Sequence, residues 1–182
     1  PDGQELWSIP LSGGDGTNEV ASALRLGQDG SIYVTGTILP PAGDGVSPPA
    51  AEYVTVRYEA NGGPLWTVRH RGFDQAVSMA QGLALDSDGN AYVLTSDRGM
   101  PDRKPVLTLI RYGVEGEELW TVGQAGLATT TTRGVSVGAP GGVWIAGSDA
   151  SGRDYLVAKY VETEASATPS IPPKTLTPAG VP

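Results

Sequence analysis

The sequence contains no cysteine, one histidine (His70), one phenylalanine (Phe73) and two methionines. The missing cysteines exclude disulfide bridges and thiolate metal sites. A lone histidine leaves little material for imidazole metal sites or for a Ser–His catalytic pair. Positive charge is scarce as well: 12 Lys and Arg stand against 20 Asp and Glu, a net charge of −8. With no basic surplus to neutralise phosphates, a nucleic-acid partner is excluded. No apolar run approaches the length that spans a bilayer, so membrane insertion is not expected. Helical periodicity is missing too, since no stretch longer than about two turns shows apolar residues at helical spacing.

What is abundant is turn and strand chemistry. Glycine (26) and proline (15) are frequent among the 182 residues. The segments between them are rich in Val, Thr, Tyr and Trp, the residues that suit a pleated, half-buried surface. The length fits one domain or a piece of a larger one.

The aromatic residues disclose a repeat. All seven tyrosines and all four tryptophans fall into four columns. Trp7, Trp66 and Trp120 form the first, each after a glycine turn: Gly3-Gln-Glu-Leu-Trp7, Gly63-Pro-Leu-Trp66 and Gly116-Glu-Glu-Leu-Trp120. Tyr33, Tyr92 and Trp144 form the second, and Tyr58, Tyr112 and Tyr160 the third, preceded by Arg57, Arg111 and Lys159. Tyr53 and Tyr155 make the fourth, where the middle unit has Leu107. The period is roughly 55 to 60 residues, the size of one supersecondary unit. The gap from Tyr58 to Trp66 equals that from Tyr112 to Trp120, whereas the stretch between the second and third columns varies. Fixed segments with one elastic segment describe strands joined by one variable loop.

Each unit reads as four short strands. The first strands are Val20–Leu26, Ala80–Asp86 and Arg133–Val137. The turns after them, at Asp29-Gly30, Asp88-Gly89 and Gly141-Gly142, supply the positive φ angles of two-residue hairpins. The expectation is therefore an all-β chain of β-propeller blades, three four-stranded antiparallel units belonging to a larger propeller. The repeats occupy 1–161: a fourth strand at 4–10, blades at 20–70 and 79–124, and a partial blade at 133–161. The Pro/Ser/Thr-rich stretch 162–182 is expected to be a linker or disordered tail. Three blades are too few for a closed ring, since propellers have about four to eight. The chain is then either the C-terminal part of a longer propeller or half of a six-bladed dimer. The first is preferred, because Pro1-Asp-Gly3 has the character of a turn cut from a preceding blade.

The phrase Tyr53-Val-Thr-Val-Arg-Tyr58, Asn61-Gly62, Leu65-Trp66 and Leu83-Ala-Leu-Asp-Ser-Asp-Gly-Asn-Ala-Tyr-Val93 resembles the bacterial β-propeller repeats called SBBP repeats. Asp154-Tyr155, Lys159-Tyr160 and Tyr33-Val-Thr-Gly36 match other parts of that pattern. The resemblance covers about residues 4–161. It departs at Ser96, where Thr-Ser stands for Thr-Gly, and at Gly138–Gly141, which replaces the Asp-x-x-Gly turn. It implies a secreted or cell-surface bacterial protein and no catalytic residues. The Gly-x-x-Leu-Trp strands also resemble the tryptophan motif of PQQ-type propellers, which implies a cofactor-binding enzyme as the rival reading. The calcium ligands and catalytic Asp of such enzymes have no counterpart cluster here.

Two isolated features read as structure. Asp86, Asp88 and Asn90, with Asp97 further on, have the spacing of a calcium loop. Position 6 of that loop is Ala91 rather than glycine, and Tyr92-Val93 must run straight, so a hairpin turn is expected. His70, in Arg69-His70-Arg71, has no nucleophile motif beside it and is expected at the surface.

In propeller topology the long connections share one face. They are 39–52, 71–78, 97–104, 123–132 and 149–153. Binding is expected there, with Asp44, Phe73, Asp74, Arg98, Asp102, Arg103 and Lys104 as candidate ligand residues. No catalytic residue, metal or cofactor is assigned. The expected function is a non-enzymatic extracellular module that binds or scaffolds a protein or glycan, with further blades upstream or a second copy as its structural partner.

Overall fold

The computed structural model of the chain describes residues 2–41, 51–71, 77–98, 106–125, 134–138, 142–148 and 155–161. It is all-β, with eleven strands among these residues. The first sheet holds β1 (Asn18–Leu26), β2 (Ile32–Leu39), β3 (Glu52–Tyr58) and β4 (Pro64–Arg71). The second holds β5 (Val77–Leu85), β6 (Ala91–Arg98), β7 (Val106–Tyr112) and β8 (Glu118–Ala125). The third holds β9 (Gly134–Gly138), β10 (Gly142–Ser148) and β11 (Tyr155–Val161). Every sheet is an antiparallel meander in chain order.

The hairpin turns differ from the two-residue loops that Asp-Gly suggests. Their loops are Gln28-Asp29-Gly30, Ala60-Asn61-Gly62, Ser87-Asp88-Gly89 and Val114-Glu115-Gly116. In the first, Gly27 N donates to Ser31 O at 2.8 Å and Gly30 N donates to Gly27 O at 3.1 Å; the other three repeat this pair of bonds. Only the last loop residue has positive φ, between 81° and 93° in the four turns. This is a type I turn followed by a glycine bulge, which adds one residue and keeps the strand twist. The sheets share further irregularities. β1 bulges between Ala21 and Ala23, and β5 bulges at the same place, between Ala80 and Gly82.

The sheets stack face to face. β5 lies beside β1 and β2, and β9 lies beside β5 and β6. Between the first and second sheets, Tyr33, Leu83, Val93, Ile110 and Tyr112 are buried, with Trp66 and Val68 packed on them. Between the second and third, Tyr92, Leu94, Leu109 and Val122 meet Val135, Val143, Ile145 and Tyr160. The second sheet is thus apolar on both faces, as a layer between two others must be. Threonines line the middle of this stack: Thr35, Thr55, Thr95 and Thr108 are buried. Thr35 and Thr55 share a hydroxyl–hydroxyl hydrogen bond of 3.0 Å, and Thr37 Oγ1 accepts from Ala80 N at 2.9 Å, tying β2 to β5.

The expected fourth strand at 4–10 does not form; residues 2–17 carry no strand. Its sequence resembles that of β4 and β8, but among the described residues no third strand lies beside it to complete a ladder, and a strand needs partners for its backbone groups. The segment keeps its packing instead. A Cβ built on Gly62 would lie 2.7 Å from Ile9 and 3.2 Å from Trp7. The stretch 162–182, expected as a tail, lies outside the described residues.

Candidate functional site

In the meanders the strand ends that flank the long connections lie at one end of the sheets. The pairs Ile38↔Glu52, Asp97↔Val106 and Ser148↔Tyr155 flank the β2–β3, β6–β7 and β10–β11 connections. The β4–β5 and β8–β9 connections leave from the same end. The four glycine turns occupy the opposite end. Of the candidate ligand residues, Arg98 closes β6 opposite Val77. Asp44, Phe73, Asp74, Asp102, Arg103 and Lys104 lie outside the described residues.

The turn end carries a repeated joint that the aromatic columns only partly announce. Tyr33 and Trp66 meet edge to face with centroids 5.8 Å apart, and Tyr92 and Trp120 do so at 5.9 Å. The guanidinium of Arg57 sits 5.3 Å above the Tyr33 ring and that of Arg111 5.3 Å above Tyr92. In the third sheet Lys159 stands 5.0 Å from the Trp144 ring. Each arginine also meets a carboxylate: Arg57 with Asp29 at 2.6 Å, Arg111 with Asp86 at 3.3 Å. The Arg or Lys that precedes every third-column Tyr is the signal for this joint, and it recurs as faithfully as the aromatics.

The joint fastens one sheet to the next. Trp66 Nε1 donates to Val114 O at 2.8 Å, and Arg57 Nη1 donates to the same carbonyl at 2.7 Å. Tyr33 Oη donates to Gly89 O at 2.9 Å. Thus three side chains of the first sheet grip the two glycine turns of the second. Gly116 is required twice there. Its φ of 88° suits a residue without a side chain, and a Cβ would come within 3.0 Å of the Trp66 ring. Burial pushes the Tyr33 phenol above its ordinary pKa against the pull of Arg57, and burial raises Tyr112 as well.

Each of these arginines is paired with a carboxylate of its own sheet, which is structural chemistry. Asp86 Oδ1 accepts from the backbone N of Asp88 and Asn90, at 3.0 and 2.8 Å, and Oδ2 accepts from Asn90 Nδ2 and Arg111. The carboxylate with calcium-loop spacing is therefore committed to its own hairpin. Among the described residues no group of three or more His, Asp or Glu is arranged to hold a metal. His70, expected at the surface, is half-buried between sheets: its Nδ1 lies 3.3 Å from Glu118 and its ring stacks on Tyr53 at 6.2 Å.

The outer face of the first sheet bears a cleft of about 330 Å³. Leu24, Ile32, Val34, Val54 and Val56 form its floor, with Trp7, Ile9 and Leu11 of the N-terminal segment beside them. Sequence reading missed it because the same residues read as ordinary core. Among comparisons with known proteins, no protein-family model matches the chain and no curated protein matches it.

Proposed function

We propose that the chain is a non-enzymatic β-propeller module of the SBBP-repeat type, displayed outside the cell, whose loop end holds a protein or glycan ligand. The observation that carries this reading is the segregation of the connections: every long one leaves from one end of the stack. Rigid sheets with variable loops at a single end are the usual arrangement of a binding scaffold. The blade reading is supported by three meanders stacked in chain order, with the same Tyr–Trp–Arg joint on the same face of the first two. The arginines and carboxylates of the joint are paired with one another rather than converging on an open pocket, which argues against catalysis there.

Two experiments test the proposal. Binding to glycan arrays and candidate surface proteins is measured for the chain and for a combined variant, Arg98→Ala, Arg103→Ala and Lys104→Ala. The expected result is lost binding with an unchanged melting temperature; binding that survives the combined variant rejects the loop end as the site. Calcium and PQQ are added separately to the chain. A melting temperature that rises with either supports the cofactor-enzyme rival instead.

A further inference from the structure

The two outward faces of the stack are unlike, and each has the form that the other sheets pack against. On the third sheet, Trp144 pairs with Lys159, Ala146 with Val157 and Ser148 with Tyr155, so these residues share one face. Tyr155 is 98% exposed and Val157 67%. This is the face on which the first and second sheets carry Tyr33 with Arg57 and Tyr92 with Arg111. In both of those sheets a tryptophan strand completes it: Arg57 pairs with Trp66 and Arg111 with Trp120. The third sheet runs β11-β10-β9, leaving β11 at an edge among the described residues. Lys159 and Trp144 stand in the joint geometry, 5.0 Å apart, without the third aromatic.

At the opposite end of the stack the complement is present. Trp7 and Ile9 lie over the Gly62 turn as Trp66 lies over the Gly116 turn. The N-terminal segment thus sits on the first sheet as β4 sits on the second, yet belongs to no ladder. Beside it the apolar cleft stays open.

We propose that two copies of this chain associate head to tail, residues 4–10 of one copy forming the fourth strand of the other's third sheet. The inference rests on the stacked-blade reading of the fold, takes up the six-bladed pair in place of the longer propeller preferred from the sequence, and is independent of any ligand. Register follows from the pairs Val56↔Thr67 and Ile110↔Thr121: Lys159 faces Trp7 of the second copy, and Ala158 faces its Ser8. Trp7 then meets Trp144 as Trp66 meets Tyr33. The β9–β11 face closes the cleft, continuing the interface that already joins the sheets inside one molecule. Because the contact joins unlike surfaces, it must close into a ring or grow without limit. Two copies of the three described sheets make six, within the range of about four to eight in which propellers close. The net charge of −8 opposes association, so salt strengthens it.

Sedimentation equilibrium on the full chain is the first test. A discrete species of twice the 18.8 kDa monomer mass, favoured by salt and abolished by Ser8→Pro, is expected. The second test uses the absence of cysteine. Ser8→Cys combined with Ala158→Cys should give interchain disulfides on oxidation, whereas Ser8→Cys with Val157→Cys, one residue out of register and facing the other way, should not. A chain that stays monomeric and uncrosslinked while its circular dichroism remains that of β-sheet overturns the association and leaves the blade reading intact; open-ended growth overturns the closed pair. Loss of the β-sheet spectrum in the unsubstituted chain strikes the blade reading itself.

Discussion

Asp29 and Asp86 bring a carboxylate to corresponding arginines, Arg57 and Arg111, from different positions of corresponding turns. Asp86 sits where the first unit has Gly27, and Asp29 where the second has Asp88. A Cβ on Gly27 would lie 2.6 Å from Asp29 Oδ1, so the Asp29 carboxylate fills the space that the Asp86 side chain holds in the second sheet. Asp29 accepts from Ser31 Oγ at 2.6 Å and from Ser31 N at 2.9 Å, and it meets Arg57. The serine hydroxyl first, then its N–H, then Arg57 hold the carboxyl down at about 2. A depressed carboxylate pKa stabilises the fold above the unfolded value of about 4 and loses that contribution as pH falls toward the folded value. Denaturation midpoints should therefore fall between pH 4 and 2, and Asp29→Asn should flatten that part of the profile. The indoles offer a second comparison. Trp66 Nε1 donates to Val114 O, whereas Trp120 Nε1 has no partner among the described residues. Trp66→Phe should cost about 1 kcal/mol more than Trp120→Phe in urea unfolding, the worth of a typical net hydrogen bond.

The element that binds sheet to sheet is the glycine turn with the tryptophan lying on it. Gly116→Ala forces a side chain into positive φ, at about 1–2 kcal/mol, and displaces Trp66 as well. Trp66→Ala should cost about 3 kcal/mol, the low end for a large aromatic because the ring is only partly buried. Trp7→Ala should cost clearly less in the monomer, since Trp7 is 42% exposed; thermal or urea unfolding at low protein concentration checks both. Strands and repeat were legible in the sequence because alternating apolar residues and glycine turns are local signals. β2, β6 and β10 fall on the Tyr/Trp segments, and β3, β7 and β11 on those ending Arg-Tyr or Lys-Tyr. The tight turns at Asp29-Gly30 and Asp88-Gly89 were placed correctly but given one residue too few, because Asp-Gly serves both two-residue loops and the type I turn with a glycine bulge; of the turn expected at Gly141-Gly142, Gly141 lies outside the described residues and Gly142 opens β10. Segment 4–10 looked like a strand because its residues are those of β4 and β8, but strand formation depends on a neighbour the local sequence does not specify. The joint was half legible: its aromatics stood out, while Arg57 and Arg111 read as strand ends until their carbonyl and carboxylate partners were placed. The ligand residues chosen from the variable loops fall outside the described residues except Arg98, expected in the 97–104 connection and found as the last residue of β6.

At the scale of the whole molecule, stability is unequal by position in the stack. The second sheet is covered on both faces, and Leu83, Leu94, Ile110, Ala91 and Thr95 are fully buried. The first sheet exposes Leu24 and Leu26 on β1, and the third exposes Tyr155 and Val157 on β11. In a linear array each layer gains mainly from its immediate neighbours, so an end layer with one neighbour opens at lower free energy than a layer with two. Native-state hydrogen exchange at low concentration should then rank the backbone amides of β6 and β7 as the slowest, above β2 and β3 and above β10. Trp66→Ala breaks only the joint between the first two sheets. It should speed exchange in β2 and β3 strongly, while β6 and β7 keep the protection they draw from the third sheet. Raising protein concentration supplies the missing neighbour to both end sheets at once if copies associate head to tail, so protection in β2, β3 and β10 should rise together toward that of β6. Equal protection of all three sheets in a dilute, monomeric sample contradicts the layer-by-layer account, because it requires the exposed outer faces to contribute as much as the buried inner ones.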